Sequence, residues 1–258
     1  MTEAPEILLT NDDGIDSPGI RALYDALSAV GDVTVVAPAA DQSATGRAMS
    51  RDVTVTEHDL GYALSGTPVD CVVAGLEAIG PQFDLVVAGC NVGANIGMYT
   101  LGRSGTVSAA VEAAFFDVPA IAVSKLFSVE EFERGSAVFE DFDVAADATT
   151  YLVEHALDAD VFDHADYLNV NAPRSGTETG EMHVTRPSHG YDMTAESDGN
   201  GRITLHDRMW DRIANDTITD PEGTDRRAVV DGHVSVSPLT APHSTERHDA
   251  LDALAETY

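Results

Sequence analysis

The sequence predicts an α/β fold: a Rossmann-like arrangement in which an open parallel sheet is flanked by helices, with a C-terminal hairpin or arm as an extension. Three observations carry this. Short apolar runs rich in valine and leucine alternate with stretches whose apolar residues recur at helical spacing. Residues 6–38 hold a complete strand, helix and strand, and a crossover of that length joins parallel strands. Beyond residue 126 the alternation gives way to short Gly-, Thr- and Asp-rich segments.

The elements follow in order. EILLT (6–10) is a short apolar run suited to a buried strand. Ser17 then caps a helix whose first turn holds Pro18, and Ile20, Leu23, Tyr24, Leu27 and Val30 recur on one face until Gly31 stops it. DVTVVAP (32–38) is the second strand. VDCVVAGLEAI (69–79) reads as a helix, FDLVVAG (83–89) as a strand, TVSAAVEAAFF (106–116) as a helix and PAIAVS (119–124) as a strand. A helix over 143–157 and a buried strand over 167–173 continue the pattern. Residues 175–232 are expected to form hairpins or an arm swapped between subunits, HVSVSPLTAP (233–242) a returning strand, and 246–258 a final helix. The expected division is residues 1–126, a core carrying the site, and residues 127–258, which complete the sheet and supply an arm for oligomerisation.

Composition narrows the function. The 258 residues include 44 acidic and 14 basic ones, a formal charge of −30, and Lys125 is the only lysine. Binding a nucleic-acid polymer calls for a basic face that so few cations cannot build. A hydrophobic fraction of 43% argues for a packed core rather than disorder. The acidity then reads as adaptation to a salty interior, where the Debye length falls to about 3 Å at 1 M and self-repulsion is screened. Cys71 and Cys90 form no CxxC pair and read as buried small hydrophobes. No apolar run reaches the ~18 residues of a membrane span, and no basic start precedes the first apolar run, so a cytoplasmic protein without membrane contact is expected. His183, His189, His206 and His233 are scattered without ligand spacing and read as surface or packing residues.

The chemistry lies at the strand ends. In LLTNDDGIDSPGI (8–20) two carboxylates, Asp12 and Asp13, stand side by side where the first strand hands over to the first helix. Neighbouring side chains converge only once the chain has left the strand, and Gly14 eases that turn. The pair reads either as ligands of a hard divalent cation such as Mg²⁺ or Mn²⁺ or as solvated turn residues of an acidic protein. The next strand ends present Gln42, Ser43, Thr45 and Arg47, and then Asn91 and Asn95 among glycines, so oxygen donors converge without the thiolates or paired histidines that favour zinc. Ser104-Gly105-Thr106 precedes an alanine-rich helix, which reads as a simple cap or as a cradle for phosphate. Neither GxxxxGK[ST] nor GxGxxG after a strand is present.

Taken together, LLTNDDGIDSPGI, VVAPAADQSATG, SGTPVDCV, the Asn91-x-Gly-x-Asn95-x-Gly stretch, SGTVSAA, PAIAVS, LNVNAP and VSVSPL appear in an order that resembles the SurE family of metal-dependent 5′/3′-nucleotidases. The resemblance implies one divalent metal per subunit, Mg²⁺ or Mn²⁺, held by Asp12, Asp13, Ser43 and Asn91. It places Asn95 and the Ser104-Gly105-Thr106 turn against the substrate phosphate, with Asn11 as a further substrate contact and Asp12, Asp13 and Asn95 as the catalytic set. It also implies nucleoside monophosphates as substrates, hydrolysed to nucleoside and phosphate, and a homodimer or homotetramer. The sequence departs from the family pattern in the MYTLGR stretch (98–103), at Cys90 and at His233. Arg47 and Arg103 are further candidate anion contacts. Two other readings remain open: a phosphatase that forms a covalent aspartyl-phosphate, and a binding module without turnover.

Overall fold

The computed structural model describes residues 4–128, 130–131, 134 and 137–241, and the expected closing helix lies outside them. The strands are β1 (Glu6–Thr10), β2 (Asp32–Pro38), β3 (Val55–His58), β4 (Gly61–Leu64), β5 (Leu85–Val92), β6 (Ala120–Lys125), β7 (Tyr167–Ala172), β8 (Met182–Val184), β9 (Met193–Ser197), β10 (Ile203–Asp207) and β11 (Val234–Leu239). The helices are α1 (Pro18–Leu27), α2 (Pro68–Ala74), α3 (Met98–Leu101), α4 (Gly105–Phe115), α5 (Asp143–Ala156), α6 (Arg208–Ala214) and α7 (Asp225–Val230).

Nine strands form one mixed, mostly parallel sheet in the order β3-β4-β2-β1-β5-β6-β7-β11-β8. From β4 to β7 every neighbouring pair is parallel. The reversals are at the margins, where β3 runs antiparallel to β4 and β11 antiparallel to β7. β9 and β10 pair only with each other, as a separate antiparallel hairpin.

Alternation along the central strands explains the layers. Ile7, Leu9, Val35 and Val87 face one side and pack with Ile20, Leu23 and Leu27 of α1 and Ala145 and Val153 of α5. Leu8, Val36 and Val86 face the other and pack with Val72 of α2 and Val107, Ala110 and Ala113 of α4. Both cysteines are buried free thiols within these cores, and burial pushes both thiols up, as small hydrophobes would behave.

Four expectations need correction. The β3–β4 hairpin was not foreseen, because β3 is mostly exposed and carries no apolar alternation. The 69–79 helix is α-helical only to Ala74 and closes in a wider π turn over Gly75–Ile79. The strand expected at 83–89 runs from Leu85 to Val92, with a bulge between Ala88 and Asn91. The 175–232 region contains the β9–β10 hairpin, but also β8 at the sheet edge and the helices α6 and α7. Those helices are seven and six residues long, too short for a helical period to stand out.

Candidate active site

β1 lies between β2 and β5, so the chain leaves it toward a point where connections diverge to opposite sides of the sheet. In open α/β sheets a crevice forms outside the strand ends at such a point. Asn11, Asp12, Asp13 and Gly14 occupy this position, and Gly14 takes the left-handed backbone angle the turn requires (φ +92°). Asn11 is fully buried, and its amide donates to the Gly14 carbonyl (2.8 Å) and the Ser17 hydroxyl (2.9 Å). It therefore fixes the loop and the start of α1.

The loop's carboxylates are tied to its neighbours. Asp13 Oδ2 accepts the Val92 N–H at the end of β5 (2.9 Å), and the Asp12 carbonyl accepts the Gln42 N–H from the loop after β2 (2.7 Å). The Thr106 hydroxyl and N–H, at the start of α4, both donate to the Asp12 carboxylate. Ser104 caps α4 by accepting the Val107 N–H (3.1 Å). Between them, Gly105 packs so closely on Asp12 that an added Cβ would stand 2.8 Å from both Asp12 Cβ and Oδ2. The helix N-terminus and the acidic loop thus face each other at contact distance.

The β5 loop completes the rim. Asn91 folds its amide onto the Gly93 carbonyl (2.5 Å). Asn95 is held from below: its N–H donates to Asn171 Oδ1 (2.7 Å), its side-chain amide to Ser124 Oγ (2.9 Å), and Asn169 donates to its carbonyl (2.9 Å). Asp225, from α7, accepts the Gly97 N–H (2.6 Å), while Ile213 of α6 and Val229 of α7 pack with Ala94, Ile96 and Leu126. Beside this loop opens a cavity of about 770 Å³, lined by Asn91, Asn95, Phe127, Arg174, Trp210 and Ile213 among others. Lys125, 1% exposed at the end of β6, donates to Glu131 and Ser175 (both 2.7 Å). Burial would raise the Glu131 carboxyl, but these partners and the Ser128 N–H outweigh it and hold it down to about 2.

The electrostatics are one-sided. Burial pushes the Asp12 carboxyl well above the usual range despite the Thr106 donors. Burial and then the adjacent Asp12 push Asp13 up to about 7, with the Val92 N–H opposing. Neither carboxyl has an Arg, Lys or His partner among the described residues. Asp41 adds a third negative charge to both, and it also accepts the Ser43 N–H (2.7 Å) and hydroxyl (2.6 Å). Buried like charges without a counter-charge are what a cation site requires, and the donor set of carboxylate, hydroxyl and amide oxygens fits a hard divalent ion.

Of the residues singled out from sequence, Asp12, Gly105 and Thr106 meet directly, Asp13 and Ser104 adjoin them in the chain, Asn91 and Asn95 belong to the β5 loop, and Ser43 stands on the exposed loop after β2. Arg47 faces away, paired with Glu112 (2.7 Å) and lying over the Phe115 ring. Arg103 is exposed above Tyr99, its carbonyl accepting the Gly46 N–H. Sequence reasoning missed Asp41, Ser124, Asn169, Asn171 and Trp210. The signal for the asparagines was present in YLNVNA, where polar residues alternate inside a buried strand.

An open sheet that gathers hard oxygen donors at its switch point, facing a helix N-terminus, defines an α/β protein whose strand ends fit a cation beside an anion. The family model described as survival protein SurE matches residues 7–193. A 5′-nucleotidase SurE of Halobacterium salinarum is 66% identical over 257 residues, 99% of each chain. One of Methanococcoides burtonii is 37% identical over 244 residues, 91% of this chain and 92% of that one. The crystal structure of SurE protein from Aquifex aeolicus aligns with a TM-score of 0.76 at 30% identity, covering 98% of this chain and 99% of that one. The chain belongs to the survival protein SurE family, as its ordered motifs implied.

Proposed function

We propose that this chain is a divalent-metal-dependent phosphomonoesterase that hydrolyses nucleoside 5′-monophosphates to nucleoside and phosphate. The observation that carries the reading is the buried Asp12–Asp13 pair, without a cationic partner and pressed against the start of α4. The relatives named 5′-nucleotidase SurE support it over nearly the whole chain.

Asp12, Asp13, Ser43 and Asn91 are the ligands on this reading, one Mg²⁺ or Mn²⁺ per subunit. The ion, when bound, polarises a phosphoryl oxygen and lowers the pKa of water. Asp13 is the better proton acceptor of the pair, because its Oδ1 has no protein donor among the described residues. The positive end of the α4 dipole, with the Gly105 N–H and the second amide hydrogen of Asn95, offsets charge on the transferred group. The 770 Å³ cavity, with Phe127 and Trp210 on its walls, accommodates the nucleoside. Ile203 and Leu205, exposed on the β9–β10 hairpin, support assembly into a dimer or tetramer, and the reading places the protein in the cytoplasm.

The test is phosphate release from 5′-AMP in near-molar KCl, with metal stripped by chelator and restored as Mn²⁺ or Mg²⁺, for the wild type and Asp13→Asn. Activity that disappears with chelator, returns with metal and is lost in the variant is expected. Release indifferent to chelator, a trapped phospho-enzyme, or tight nucleotide binding without turnover would overturn the reading.

A further inference from the structure

The parallel pairing of β8 with β11 sets Met182 opposite Val234, so Glu181 and His183 share a face with His233. Three residues that the sequence scatters over more than fifty positions thereby meet at the sheet edge. Glu181 Oε2 lies 3.3 Å from His183 Nε2 and 3.7 Å from His233 Nδ1. The two rings stack with centroids 3.9 Å apart and planes inclined by 20°. One donor atom from each residue lies within 4.8 Å of the other two. Thr179 Oγ1 stands 2.7 Å from His233 Nδ1 and adds an oxygen on the same side. The two histidines, scattered in sequence, are thus neighbours in space, while His183 is exposed, in keeping with the surface reading.

We propose that Glu181, His183 and His233 form a second metal site, selective for a borderline first-row ion of the Zn²⁺ type. Two neutral imidazoles and one carboxylate are the donor set such ions take, with water in the fourth position. The site differs in kind from the Asp12–Asp13 centre, which offers only oxygens and amides. It is also remote from it, because β8 is the fifth strand along from β1 and strands lie about 4.8 Å apart. Its role is mechanical. β8 is three residues long and exposed throughout, an edge strand that among the described residues pairs with β11 alone. A metal bound by His183 of β8, by Glu181 just before it and by His233 just before β11 clamps that edge strand in register.

The test uses the full chain, freed of metal with chelator, desalted into near-molar KCl and dialysed against Zn²⁺. Wild type, Asp13→Asn, His183→Gln/His233→Gln and Glu181→Gln are compared by bound zinc and by the optical spectrum after Co²⁺ loading. Wild type is expected to hold one zinc more than the double histidine variant, and Asp13→Asn is expected to retain that zinc and the intense bands of four-coordinate Co²⁺. Glu181→Gln, an exposed and conservative change, is expected to weaken zinc binding about tenfold. Zinc is also expected to raise the melting temperature of Asp13→Asn but not of the variant that combines Asp13→Asn with both histidine changes. Equal zinc content in wild type and a folded double variant, or Co²⁺ bands that survive loss of both histidines, would overturn the site. Phosphate release by the double variant should match wild type, so the outcome does not depend on the nucleotidase reading.

Discussion

At the scale of single residues, the adjacency of Asp12 and Asp13 makes metal and proton competitors. A carboxyl raised to about 7 in the folded chain is protonated between its ordinary range and neutrality, where the unfolded chain is already ionised. The metal-free protein is therefore expected to lose stability as pH rises from about 4 to about 7. Asp13→Asn should flatten that slope, and added Mn²⁺ should restore more stability to wild type at pH 8 than at pH 6; melting curves across pH check both. Gly105→Ala would drive a methyl into Asp12. Displacement of that carboxylate by ~1 Å is expected to cost about 100-fold in kcat with circular dichroism unchanged. The carboxylate pair was legible because its members are neighbours in sequence. Asp41 was not, since its charge reaches Asp12 and Asp13 only once the loop after β2 folds back so that Gln42 bonds the Asp12 carbonyl.

Among the elements, α4 was readable to within a residue, because Ser104 and a run of small apolar residues mark its start and its buried face. The two short helices α6 and α7 were not, although they hold the loop that carries Asn95. Their buried apolar residues are only Met209 and Ile213, and Ala228 and Val229, and α7 also buries the charged Asp225 and Arg226, so composition pointed to a hairpin. Their consequence is a wall for the nucleoside. Trp210 of α6 lines the cavity together with Asn91 and Asn95. Trp210→Ala is expected to raise KM for 5′-AMP about tenfold while leaving kcat within about twofold, as loss of a stacking surface would. KM and kcat both unchanged would place Trp210 outside the substrate's reach.

For the whole molecule, the alternation of strands and helices foretold the layers but not the order of the strands. That β1 sits between β2 and β5, and that β11 returns antiparallel, follow from which faces find partners and leave no local mark. The charge of −30 acts at this scale too. Raising KCl from tens of millimolar to molar contracts the Debye length from above 10 Å to about 3 Å and is expected to raise the melting temperature. A chain most stable at low ionic strength would refute salt adaptation. The placement of Lys125 has a further consequence. The sole lysine of the chain is sealed at the end of a central strand, so the folded molecule presents no side-chain amine to an acylating reagent. Only opening of β6 and its neighbours exposes it, and the rate at which a mass tag appears on Lys125 becomes a clock for that opening, read from one peptide without any engineered probe.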